Sequence, residues 1–103
     1  MGDSNVTEKI TSGQNKRVKQ WRALNTKKGR KATQSYLLES WHLVQEAIKA
    51  QHPLTAIMGT ADQLAEHAAE LPSDVATYEL TDSIAQTIGD TGTPQGIFAT
   101  VPL

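Results

Sequence analysis

The chain has 103 residues, 38% of them hydrophobic and 20% charged, with no cysteine and a formal net charge of −1. That length holds one core with no room for a second, and the composition excludes a wholly disordered chain. Disulfides, thiolate nucleophiles and Cys-ligated zinc are excluded too; with no apolar run of bilayer length and no charged-then-apolar leader, a cytoplasmic protein without a membrane partner is expected.

Residues from Met1 to about Glu8 are small, polar and mixed in charge, and residues 1–9 are expected to form a flexible tail. A helix is predicted to start near Thr11 or Ser12, either of which can cap it. Val18, Trp21 and Leu24 recur at roughly helical spacing and give it one buried stripe, while Lys16, Lys19 and Lys27 project away. Residues 25–34 are polar, centre on Gly29 and lack apolar periodicity, which predicts a mobile basic loop. Tyr36-Leu37-Leu38 reads as a buried strand ending at Glu39. Trp41, Val44, Ala47 and Ile48 mark a helical face that stops before Pro53.

Residues 54–58 predict a second strand. In the capping box Thr60-Ala61-Asp62-Gln63 the hydroxyl and the Gln side chain each satisfy a backbone N–H. Leu64, Ala65, Ala68 and Leu71 give the helix it opens a buried face. A third strand is expected at 75–80, a short helix at 82–88, a turn-rich loop from Gly89 to Gln95 and a last strand at 97–101. Strands alternating with helices of this length predict an α/β/α sandwich on a mostly parallel sheet of four strands. Right-handed crossovers then gather the three strand-to-helix turns on one edge.

The small net charge hides a dipolar molecule. Eight of the ten Lys and Arg residues lie between Lys16 and Lys31, and no acid occurs between Glu8 and Glu39. Residues 9–31 carry nine positive charges; from Glu39 onward there are nine acids against Lys49 alone. Such asymmetry points to a polyanionic partner, and the density of the cluster to nucleic acid; a solvated helix face is the plain alternative.

Signs of chemistry are weaker. The strand ends supply Glu39-Ser40, Thr60 to Asp62 and Thr81-Asp82, candidate acid–base groups or magnesium ligands by position. Each pair also sits at a helix start, where hydroxyls and acids serve as caps. Phosphate-binding glycine motifs and a nucleophile elbow are missing. His42, His52 and His67 lack metal-ligand spacing and are expected on the surface. No catalytic, cofactor-binding or metal residue is assigned.

Three stretches, in order and spacing, resemble a known family. They are Ile10-Thr11-Ser12-x-x-Asn15-x-x-Val18-Lys19 with Leu24 and Lys27-Lys28-x-Arg30; Tyr36-Leu37-Leu38-Glu39 with Leu43-Val44-x-Glu46-Ala47; and Thr93-Pro94-Gln95-Gly96-Ile97. Together they resemble the N-terminal substrate-binding domain of the SpoU (TrmH) family of RNA 2′-O-ribose methyltransferases, over residues 10–103. The resemblance implies a fold like that of kink-turn-binding ribosomal proteins, and a domain that holds RNA, typically ribosomal. A knotted, dimeric catalytic domain binding S-adenosylmethionine would follow residue 103. Two positions depart from the family pattern. Ser40 stands where the family usually has Gly, and His42 where a basic residue is frequent, which puts RNA contact at that edge in doubt.

The family match marks Asn15, Lys19, Lys28 and Arg30 as RNA contacts; the charge cluster adds Lys16, Arg22, Lys27 and Lys31. Asn15 is equally suited to satisfying backbone at the helix start. Trp21 and Trp41 suit base stacking or, from their place in apolar stripes, the core. The rival readings are a free-standing RNA-binding protein of the kink-turn type and a small α/β signalling or nucleotide-binding domain using the carboxylate edge.

Overall fold

A computed structural model describes residues 6–89 and 95–103. Five strands form one mixed sheet in the order β1-β4-β3-β5-β2: β1 (Glu8–Ile10), β2 (Ser35–Leu38), β3 (Ala56–Thr60), β4 (Thr77–Leu80) and β5 (Ile97–Pro102). β1, β4 and β3 pair in parallel, while β5 runs antiparallel to both β3 and β2. The five helices are α1 (Lys16–Ala23), α2 (Lys27–Thr33), α3 (Trp41–Lys49), α4 (Ala61–Glu66) and α5 (Asp82–Ile88).

Successive side chains of a strand point to opposite faces, and the strands here use both. On one face Ala56 and Met58 of β3, Tyr78 and Leu80 of β4 and Phe98 of β5 pack against Val18 and Trp21 of α1 and Ile84, Ala85 and Ile88 of α5. On the other, Ile57, Ile97 and Ala99 meet Val44 of α3 and Leu64 of α4, with Trp41 and Ile48 packed alongside. The three-layer α/β/α reading therefore holds. The sheet differs from expectation in strand number and direction.

The extra strand is β1, within the stretch expected to be a flexible tail through residue 9; residues 6–9 of that stretch are described, and residues 1–5 lie outside the described residues. Ile10 is buried in the core, Thr7 N–H donates to Thr77 O, and Thr77 N–H donates to the Thr7 hydroxyl at 3.0 Å. With three residues and one buried side chain, β1 carries no alternation to read. β5 runs antiparallel although residues 81–96, which join it to β4, are as long as the 61–76 connection that makes β3 and β4 parallel. The difference lies in where the connection ends: Gly89, just after α5, lies against Glu39, just past β2, rather than at the opposite edge of the sheet. Gly96 then takes φ +83°, and its carbonyl accepts the Thr60 N–H at 3.0 Å.

That last bond alters the expected capping box. Thr60 Oγ1 does accept from Gln63 N–H at 3.3 Å, but the Thr60 N–H goes to Gly96 rather than to the Gln63 side chain. α4 is shorter than expected, with a 3-10 turn at Ala68–Glu70; Leu64 and Leu71 pack inward while Ala65 and Ala68 stay exposed.

Candidate nucleic-acid interface

α1 starts at Lys16, later than predicted. Ser12 closes a turn, accepting from Gln14 N–H at 3.1 Å, and Asn15 is the cap, its Oδ1 accepting from Arg17 N–H at 2.8 Å. From there Val18, Trp21 and Leu24 fall on one buried stripe, as their spacing predicts, and Lys16 and Lys19 face solvent.

The expected mobile loop at 25–34 is instead a second helix, held by polar and backbone contacts. Thr26 Oγ1 accepts from Gly29 N–H at 3.0 Å and donates to Ala23 O at 2.7 Å, so one hydroxyl caps α2 and joins it to the end of α1. Gly29 is buried because a Cβ there would stand 2.0 Å from Ala23 O; the glycine permits close helix–helix approach rather than flexibility. Arg30 Nη1 donates to Leu24 O at 2.9 Å, and Gln34 ends α2 in the left-handed conformation. Asn25 Nδ2 donates to Ile88 O at 2.7 Å and ties the corner to α5.

The eight residues marked as RNA contacts therefore divide. Asn15 caps α1, Arg22 is half-buried with Nη2 donating to Gly13 O at 3.1 Å, and Arg30 serves the carbonyl end of α1. Lys16, Lys19, Lys27, Lys28 and Lys31 are exposed. Among the described residues the ion pairs are Lys9–Glu79 and Arg17–Glu8, both at 3.5 Å, and the contact of His67 with Glu66 at 3.9 Å. None engages those five lysines, so the cationic face is not neutralised by the acidic remainder of the chain.

Arg17, which the charge cluster did not single out, is the best-organised cation of the face. Its guanidinium lies over the Tyr78 ring, 5.1 Å from the centroid. A hydrogen bond to Tyr78 and that group's charge, with a smaller contribution from Glu8, hold its pKa above the ordinary value. The available signal was position: Arg17 lies one helical turn before the buried Trp21, where a long cation can cover a core aromatic.

The aromatic and histidine expectations resolve toward packing. Trp21 is buried and contacts Tyr78, with ring centroids 5.4 Å apart. Trp41 stacks on His67 at 3.8 Å and 10°, so His67 is a packed ring rather than a surface residue. At the strand ends, the Ser40, Thr60 and Thr81 hydroxyls each accept a backbone N–H of the helix that follows. Asp62 and Asp82 stand in first helical turns, where the helix dipole favours an acid. Of the third family-like stretch, Thr93 and Pro94 lie outside the described residues; Gln95 Oε1 accepts from Trp41 N–H at 3.0 Å.

A family model for the MRM3-like substrate binding domain matches residues 15–99. The chain belongs to this family. The match takes in α1 to α5 and the first half of β5, and with them every lysine of the cationic face. Among relatives of this substrate-binding domain, it is 35% identical over 96 residues to the 23S rRNA (guanosine(2553)-2′-O)-methyltransferase RlmP of Bacillus subtilis. That alignment covers 89% of the chain and 36% of the enzyme. An rRNA methyltransferase from Sinorhizobium meliloti superposes with TM-score 0.77 at 27% identity, covering 97% of this chain and 38% of that one. A TrmH-family RNA methyltransferase of Porphyromonas gingivalis, described as putative, gives 0.69 at 30% identity over 84% and 34%. The chain thus spans little more than a third of the relatives it matches, and its likeness is to SpoU/TrmH methyltransferases, as the three stretches implied.

Proposed function

We propose that this domain holds RNA, in particular ribosomal RNA, for a SpoU-type 2′-O-methyltransferase, and that the exposed lysines of α1 and α2 are its grip. The observation that carries the reading is a set of five solvent-facing lysines, free of ion pairs among the described residues, on two helices locked together by Thr26, Gly29 and Arg30. Each lysine is a point charge suited to a phosphate oxygen. Because the corner is already folded, RNA binding need not be offset by the cost of ordering a loop. The hydroxyls at the strand ends serve as helix caps and Asp62 and Asp82 stand in first helical turns, so chemistry is assigned elsewhere.

In this reading a second domain beyond residue 103 performs methyl transfer, binds S-adenosylmethionine and makes a dimer, and the whole works in the cytoplasm with its RNA. The support is the modest share of each relative that the chain covers, and the bound S-adenosylmethionine named for a second Sinorhizobium meliloti structure of the same description.

The test is a pair of substitutions that leaves the corner intact. Lys28→Ala with Lys31→Ala removes two charges that make no structural contact in α2, so the melting temperature should hold while affinity for rRNA fragments falls. The plot of log K against log[salt] should flatten by about 1.4, at roughly 0.7 per lost single-strand contact. Unchanged affinity and slope would remove α2 from the interface.

A further inference from the structure

Beside the lysine face, α1 and the start of β2 border an open cavity of about 200 Å³ over the sheet. It is smaller than the roughly 300–1,000 Å³ of pockets for drug-sized ligands, and so suited to one small ring system. It is lined by Trp21 and Tyr78, by Arg17 and Gln20 of α1, and by the hydroxyl residues Thr33, Ser35 and Thr55. Resting on the reading of the domain as an RNA holder, we propose that this cavity takes one unpaired base of the bound RNA, stacked on Arg17, and favours a base with an exocyclic amino group.

Two features carry the assignment. Arg17 is held on two sides: its Cζ lies over the Tyr78 ring, 5.1 Å from the centroid, and Glu8 sits 3.5 Å away, while the side chain keeps 48% of its exposure. A planar cation held this way offers its outer face to a base, a surface that single-stranded RNA uses as it uses aromatic rings. Two of the hydroxyls, in turn, direct their protons to backbone. Thr33 donates to Gly29 O at 2.9 Å and Ser35 to Thr33 O at 3.1 Å, whereas Thr55 is engaged with the Thr100 hydroxyl at 2.6 Å. The Thr33 and Ser35 oxygens keep acceptor capacity. Acceptors match the N4 amino group of cytosine, and the side lined by Thr33 and Ser35 holds no hydroxyl proton free for uracil's O4. Lys16 and Gln20, four residues apart on α1, share a face, so a backbone held by the lysine strip passes the mouth of the cavity.

The experiment uses Trp21 as its reporter in a Trp41→Phe background, since the chain has two tryptophans. Short oligocytidylate, oligouridylate of equal length, and cytidine monophosphate are titrated at fixed salt. Oligocytidylate should quench Trp21 emission and bind about fivefold tighter than oligouridylate, the worth of one net hydrogen bond. Arg17→Lys, which keeps the charge and loses the plane, should weaken oligocytidylate by about tenfold, as for a lost stacking platform, with the salt slope unchanged. Thr33→Tyr, which fills the mouth, should abolish the preference for cytosine. Equal binding of the two oligomers with unquenched Trp21, or full affinity in Arg17→Lys, overturns the proposal. If Lys28→Ala with Lys31→Ala still weakens binding, the lysine grip survives that result. Cytidine monophosphate binding as tightly as the oligomer would make this a free-nucleotide site and overturn the RNA assignment. Failure of every oligomer to bind would overturn the RNA-holding reading and this inference together.

Discussion

Asn15 and Lys28 were marked by the same resemblance, yet the fold gives them different tasks. Asn15 satisfies the Arg17 N–H at the start of α1, a role worth about 1 kcal/mol in typical caps. Asn15→Ala should therefore lower the melting temperature by about 4–8 °C, the shift expected per kcal/mol in a domain of this size. RNA affinity, measured well below that temperature, should stay at the parent value. A variant that melts like the parent but loses RNA would return Asn15 to the interface. Arg22 and Arg30 belong with Asn15, since both are half-buried and donate to backbone carbonyls. Sequence alone does not separate such arginines from solvent-facing lysines. The distinction depends on where a carbonyl stands after the chain has turned.

Among the elements, those with an apolar pattern were legible and those built by contact were not. α5 lies at the residues expected for a short helix, and Trp41, Val44 and Ile48 of α3 pack inward as their periodicity required. β1 and α2 had no such pattern. β1 exists because the Thr7–Thr77 bonds and Ile10 attach it to β4, while α2 exists because Thr26 caps it and Gly29 lets it close on Ala23. The direction of β5 was hidden for a similar reason: it goes with the placing of Gly89 against Glu39, a contact that strand propensity does not report. The claim about α2 has its own check in amide hydrogen exchange of the free protein. Amides of Arg30 to Gln34 should be protected relative to unfolded-chain rates, and Thr26→Ala should erode that protection before it affects the sheet. Exchange at the unfolded rate in the unbound domain would restore the mobile basic loop, and with it an ordering cost on binding.

Taken whole, the molecule separates its charges by task. Acids stand at the strand ends and in the first turns of α4 and α5, whereas the lysines of α1 and α2 face water without internal partners among the described residues. The radius of gyration, 12.6 Å, is near the ~13 Å of a compact domain of about a hundred residues. The cationic corner is therefore part of one packed body rather than an arm beside it. A rigid, unneutralised lysine face binds phosphate chiefly by releasing counterions, which makes salt the sharpest probe of the account. The deciding measurement is the affinity of the intact domain for a single-stranded rRNA fragment as a function of salt. With about five phosphates neutralised, affinity should fall roughly a hundredfold between ~50 and ~200 mM salt. An affinity that stays level across that range would contradict a lysine grip on RNA.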